Sequence, residues 1–206
     1  SHNNEVFSAW VLSCVIPPSP GRSILNALPL FHVTGFTVNG MHPFMMGNTV
    51  IIATPQGFRG KGVMRNFWKI IEHYKTDFIS GVPTVYTMLL QNPVDADVSS
   101  LQFALCGSAP MPVNSFRAFE TQFNVRLLAA YGLTEGTCIC ATNPPDGERR
   151  VGSVGFRLPY QKMRIVLLDD AGHYVRDAAP DEVGVVIISG PHVFQGYKQD
   201  QHNQGL

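Results

Sequence analysis

From Ser23 to Ala130 the chain alternates short apolar runs with segments of helical period, and this alternation constrains the fold more than any other feature. "SILNAL" (23–28), "TVIIA" (49–53), "DFIS" (77–80), "LQFALC" (101–106) and "VRLLAA" (125–130) have the compact, partly β-branched composition of buried strands. Between them, residues 36–46 read as an apolar helix ending at Gly47. Residues 63–75 put Met64, Phe67, Trp68, Ile71 and Tyr74 on one helical face. A further helix is expected over 84–92, and another is opened by Pro112 at its first turn. Strands separated by helices form parallel βαβ units, so the pattern predicts an α/β protein with a mostly parallel sheet flanked by helices. Upstream, residues 5–16 place Val6, Trp10 and Cys14 on one helical stripe with Phe7 and Val11 beside it, and Pro17-Pro18 stop the helix.

After residue 150 the helical period disappears. "KMRIVLLDDAGHYV" is a strand, a turn and the start of a second strand, and "EVGVVIISG" (182–190) is another strand. Residues 1–150 are therefore expected to form the α/β region. Residues 151–206 are expected to form part of a small β subdomain, entered through the "NPPDGERR" loop at 143–150.

Composition narrows the function classes. The 206 residues are 45% hydrophobic and only 15% charged, against about 25% charged for an average globular chain. So few charges predict that part of the surface is covered in a larger parent protein. A formal net charge of zero lacks the basic footprint of a nucleic-acid binder. No apolar run approaches the length of a membrane span, and no leader pattern opens the chain. The four cysteines, Cys14, Cys106, Cys138 and Cys140, lack paired C-x-x-C spacing. They read as buried, reduced thiols of a cytoplasmic protein.

In open α/β sheets, ligands bind outside the carboxyl ends of the strands, and the chemically distinctive residues of this chain fall there. Gly107-Ser108-Ala109-Pro110 follows "LQFALC", offering small side chains and accessible backbone amides. Tyr131-Gly132-Leu133-Thr134-Glu135-Gly136 follows "VRLLAA", Pro29-Leu30-Phe31-His32-Val33-Thr34-Gly35 follows "SILNAL", and Gly81-Val82-Pro83-Thr84 follows "DFIS". Singly, each has a plainer reading: a turn before a helix, a packed histidine, a helix cap. Their recurrence in order at four strand ends is what points to a ligand site.

The constellation resembles the adenylate-forming superfamily, which includes acyl-CoA synthetases, luciferases and nonribosomal adenylation domains. The specific elements are Tyr131-Gly-Leu-Thr-Glu135 after a strand and Gly107-Ser-Ala-Pro110 some two dozen residues earlier. "SHNNEVFSAW" is similar to the segment after the family's phosphate loop, "PLFHVTG" to its aromatic and histidine motif, and "GVPTVYTMLL" to the start of its acyl-pocket helix. "GSVGFRLP", "DEVGVVIISGPHVFQGY" and "HNQGL" are similar to the approach to its ribose-binding Asp.

In such enzymes a carboxylate attacks the α-phosphate of ATP, pyrophosphate leaves, and the acyl-adenylate meets a thiol, usually coenzyme A. The resemblance implies that Tyr131 stacks on adenine beside Gly132, that Thr134 bonds a phosphate oxygen, and that Glu135 helps hold Mg2+, a hard cation suited to carboxylate and phosphate oxygen. It implies that Gly107, Ser108, Ala109 and Pro110 line the adenine cleft. His32 and Phe31 would sit beside the substrate carboxylate, with Val33, Gly35, Val82, Pro83 and Thr84 around the acyl group. Thr134, Glu135 and His32 are thus the expected catalytic residues.

Amino-acid-activating members carry an Asp after the aromatic motif, whereas here no acidic residue lies between Phe31 and Gly57. An unpartnered buried ammonium is costly, so an amino acid is disfavoured. Val33, Gly35, Phe36, Val38, Val82 and Met88 predict an apolar pocket for a fatty or aryl acid. The family's phosphate loop would precede Ser1, and its ribose-binding Asp, hinge Arg and catalytic Lys would follow Leu206. The expectation is therefore a fragment of an ATP-dependent acyl-CoA synthetase, inactive alone. An acyl-AMP ligase loading a carrier protein and a non-catalytic nucleotide-binding homologue are the alternatives.

Overall fold

A computed structural model describes residues 1–16 and 20–203. In chain order its elements are α1 (His2–Ser13), β1 (Ser23–Asn26), a π-helix (Thr34–Met41) running into α2 (His42–Met45), β2 (Thr49–Ile52), α3 (Phe67–Tyr74), β3 (Phe78–Gly81), α4 (Pro83–Gln91), β4 (Phe103–Cys106), α5 (Val113–Phe123), β5 (Arg126–Leu133), β6 (Cys138–Thr142), β7 (Phe156–Arg157), β8 (Lys162–Leu168), β9 (Tyr174–Asp177) and β10 (Val185–Ser189). Seven strands form one sheet in the order β2-β1-β3-β4-β5-β6-β7, and β10-β8-β9 form a second. Pairing is parallel from β2 to β5 and antiparallel at β6 and β7 and throughout the small sheet. The expected architecture, a mostly parallel sheet flanked by helices and followed by a small β sheet, is what the chain adopts.

Alternation along the strands feeds two cores, because successive side chains leave a sheet on opposite faces. Leu25, Ile79, Ala104 and Leu127 pack with Phe67, Trp68 and Ile71 of α3, Tyr86 and Leu89 of α4, and Phe116, Phe119 and Phe123 of α5. Trp68 and Phe123 meet at 4.5 Å between ring centroids. The opposite residues, Ile24, Phe78, Leu105 and Leu128, pack with Val11 and Leu12 of α1 and with Val38. The buried Tyr86 hydroxyl donates to Leu105 O at 2.6 Å, tying α4 to the sheet without leaving a polar atom orphaned.

Three expectations change. The α1 stripe of Val6, Trp10 and Cys14 faces outward, and the buried residues are Asn4, Ser8, Ala9, Val11 and Leu12. A polar residue can turn inward there because Asn4 Nδ2 donates to Pro191 O (2.6 Å) and Val193 O (2.9 Å). Trp10 instead lies 5.2 Å from Tyr160. The Pro17-Pro18 stop lies outside the described residues, as do the last three residues of "HNQGL".

The apolar helix after Phe36 begins earlier, at Thr34, and is a π-helix before it becomes α2. Such segments are rare and frequently occur at functional sites. Gly35 permits it, because a Cβ there would meet Pro29 O at 2.4 Å. Tyr131, Gly132 and Leu133 are not loop residues but extend β5, which pairs with β6, a strand the sequence reading missed.

Candidate active site

A cavity of about 460 Å³ opens across the carboxyl ends of β1, β3, β4 and β5. From β1 it receives His32, Val33 and Thr34, and from β3 it receives Ser80, Gly81 and Val82. Gly107 and Ser108 follow β4, and Tyr131, Gly132 and Thr134 belong to β5 and the turn after it. Loops from separate strands meet here because parallel pairing aligns the strand ends.

Local geometry prepares each piece. Ser108 sits in the left-handed region at φ 69°, a strained backbone of the kind concentrated at ligand sites. Gly132 fits because a Cβ would stand 1.6 Å from Cys138 O, at the point where the β5–β6 register shifts. The Nδ1 of His32 accepts the Thr34 N–H at 3.2 Å, so the ring proton of the neutral imidazole resides on Nε2. Thr34 in turn places its hydroxyl 3.3 Å from Cys138 Sγ. Beneath the cavity the buried Asn39 side chain bonds the Ser80 hydroxyl at 2.7 Å, locking the π-helix to β3.

Of the residues the sequence singled out, the cavity gathers His32, Val33, Val82, Gly107, Ser108, Tyr131, Gly132 and Thr134. Phe31, Gly35, Pro83, Thr84, Ala109, Pro110 and Glu135 lie outside its lining. Phe31 is 92% exposed, and Gly35 is buried under the Pro29 carbonyl. Thr84 opens a helix as expected, and Pro83 joins it in the first turn of α4. Among the supposed apolar pocket residues, Val38 is core, and Phe36 and Met88 are exposed. Arg59 lines the cavity and was not anticipated. Its only sequence signal is the glycine on either side of "FR", Gly57 and Gly60.

Glu135 stands one residue beyond the lining. Its carboxylate accepts a hydrogen bond from the Tyr197 phenol, and its carbonyl accepts the Phe194 N–H at 2.8 Å. The phenol, and then the backbone, hold the carboxyl below its ordinary pKa. Among the described residues no cluster of three or more metal-ligating side chains occurs. A single carboxylate, that of Glu135, next in sequence to Thr134, is still compatible with Mg2+, which commonly takes one or two protein carboxylates and completes its shell with phosphates and water. Cys106 and Cys138 are pushed by burial to about 12, and Cys140 to about 11, so these thiols are no nucleophiles at neutral pH.

The sequence profile of the AMP-binding enzymes matches residues 1–198, and the chain belongs to that family. It is 43% identical over 181 residues to the marinolic acid–CoA ligase of Pseudoalteromonas sp. (strain SANK 73390), covering 87% of this chain and 28% of that one. It is 30% identical over 197 residues to a long-chain-fatty-acid–CoA ligase of Bacillus subtilis (strain 168), covering 95% and 33%. The crystal structure of ATP-bound MatB from Rhodopseudomonas palustris superposes with a TM-score of 0.83 at 25% identity, over 99% of this chain and 39% of MatB. The chain thus spans about a third of the length of these relatives.

Proposed function

We propose that these residues are the nucleotide- and acyl-binding part of an AMP-forming acid–thiol ligase, which joins a fatty or aryl carboxylic acid to coenzyme A through an acyl-adenylate. The observation that carries this reading is one continuous cavity joining Tyr131 and Thr134 at β5 to His32 and Val82 at β1 and β3. Tyr131 offers a ring face to adenine, and Gly107 and Ser108 let the base approach the backbone, with Ala109 and Pro110 shaping the turn. The Thr134 hydroxyl donates to a phosphate oxygen. His32, with its proton on Nε2, donates to the substrate carboxylate, which then attacks the α-phosphate as pyrophosphate departs. Val33 and Val82 contact the acyl body, while Gly35, Pro83 and Thr84 set the backbone behind them.

Glu135 is the residue that would hold Mg2+. That ion, when bound, neutralises charge on the phosphates. The region 1–150 carries this site; beyond it Phe156–Arg157 still belongs to the main sheet as β7, and the separate small sheet is built from β8, β9 and β10, between Lys162 and Ser189. Three free cysteines buried in the interior support a reducing, cytoplasmic setting.

The test is carboxylate-dependent exchange of pyrophosphate into ATP by the full-length parent. Glu135→Ala is expected to lower exchange 100-fold or more, and unchanged exchange removes Glu135 from the site. The 206-residue chain alone is expected to form no acyl-adenylate, and product from the purified fragment would overturn that claim.

A further inference from the structure

Among the described residues that line the cavity, Arg59 is the one formally charged side chain, and none is Asp or Glu. Arg22, Arg126, Arg149, Arg150, Arg164 and Arg176 pair with carboxylates, whereas Arg59, which is solvent-exposed, forms no ion pair among the described residues; Arg65, Arg117 and Arg157 are likewise unpaired, but Arg59 alone of these four lines the cavity. Its turn is rigidly built. The Phe58 N–H donates to Ala27 O at 2.8 Å, and the Arg59 N–H donates to Gln56 O at 3.2 Å. Gly57, at φ +59°, is pressed so close to β1 that a Cβ would meet Ala27 O at 2.2 Å. A Cβ on Gly60 would meet the Thr54 hydroxyl at 2.2 Å.

The strand order gives that position a meaning. The turn is fastened to the end of β1, three strand steps from β5 in the order β1-β3-β4-β5, which is roughly 14 Å at the usual spacing. If the acid reacts beside Thr134 and His32, whose neighbour Thr34 reaches across to Cys138 of β6 at 3.3 Å, its body has Leu105, Val82 and Leu28 of the lining to lie against, and Arg59 is left for its far end. An apolar terminus there would desolvate the guanidinium without replacing its hydrogen bonds. A carboxylate or sulfonate would receive two parallel, charge-assisted ones.

We propose that Arg59 selects the acid: the substrate has an apolar body and a second anionic group at the end remote from the reacting carboxylate. This rests on the ligase reading above.

The experiment is pyrophosphate exchange by the full-length parent with pairs of acids of equal length, each a straight-chain monocarboxylate and its α,ω-dicarboxylate. The wild type is expected to prefer the dicarboxylate in kcat/KM. Arg59→Ala is expected to cut that preference 10- to 100-fold, through KM for the dicarboxylate, and Arg59→Lys to restore part of it. Exchange with no dicarboxylate preference, or a preference that survives in Arg59→Ala, overturns the assignment of Arg59 while leaving the ligase reading intact. A rise in KM for ATP in place of the lost preference puts the guanidinium on the nucleotide and overturns it equally. Absence of exchange with every acid sinks the ligase reading, and this inference with it.

Discussion

The phenol of Tyr197 donates to the carboxylate of Glu135, joining the segment beyond the small sheet to the turn that ends β5. A second bond from Phe194 N–H to Glu135 O, at 2.8 Å, makes the link two-pronged. A carboxylate held this way is kept ionised and pre-positioned, which suits a residue proposed to meet a cation.

Tyr197→Phe is therefore expected to raise the Glu135 pKa toward its ordinary value of 4.5. The sign follows from the depressed native pKa. The bond's contribution is present above the unfolded value and is lost as pH falls through the folded one. The same bond raises the Tyr197 phenol above its ordinary 10.0, so that partner's contribution is lost as pH rises through its folded value. Carbon-13 NMR titration of the Glu135 carboxyl in both proteins reads the difference. Identical titration curves would mean that the bond does not persist in solution.

Gly132→Ala must displace β6, because the new methyl would stand 1.6 Å from Cys138 O. Rigid backbone on both sides leaves no soft atom to yield, so the loss of stability should be about 2–4 kcal/mol. Urea unfolding measures it. Nucleotide binding should weaken as well, since Tyr131 and Thr134 flank the displaced residue. A neutral substitution would show that β5 and β6 can slide apart freely.

Asp77 gives a pH signature distant from the cavity. Burial pushes its carboxyl up to about 6, against the opposing pull of Arg22 and backbone hydrogen bonds. Among the described residues its Oδ1 has no hydrogen-bond partner, and Arg22 Nε lies 3.6 Å from Oδ2. Because the native pKa exceeds the unfolded value near 3.8, the native state holds the proton more tightly, and this contribution to stability is lost as pH rises from about 4 through about 6. Asp77→Asn mimics the neutral form. It should gain on the wild type between pH 4 and pH 7 by up to about 3 kcal/mol. A difference independent of pH would place the raised pKa elsewhere.

The cysteines should separate by reactivity with a thiol reagent at pH 8. Cys14 is exposed, whereas Cys106, Cys138 and Cys140 are buried and their thiols are pushed to about 11 or 12. One thiol should react quickly, and three only on unfolding. Rapid reaction of Cys138 would reveal opening of the cavity wall beneath Thr34.

Much of the fold is legible in local pattern. β1 to β5 and α3 to α5 lie within a few residues of their expected ranges, because apolar period and turn residues are properties of neighbours along the chain. β6 escaped because "CICAT" (138–142) offers cysteine and alanine where strand-forming residues are sought, although all five residues are buried. The α1 stripe misled for the opposite reason. Trp10 is apolar and helix-compatible, yet which face turns inward was settled by Asn4 finding carbonyls at Pro191 and Val193.

The site divides along the same line. Tyr131, Thr134, Gly107 and His32 could be picked out because a hydroxyl, an aromatic ring or a glycine at a strand end is unusual in its immediate surroundings. Their meeting in one cavity, the retreat of Gly35 and Pro83 into helices, and the arrival of Arg59 could not be. Each depends on which strands lie side by side and on a hydrogen bond such as Phe58 N–H to Ala27 O, made between residues far apart in the chain. Local sequence sets backbone preference and polarity within a few residues. Distances across the ends of a sheet are set by strand order, which emerges only when both faces are buried at once.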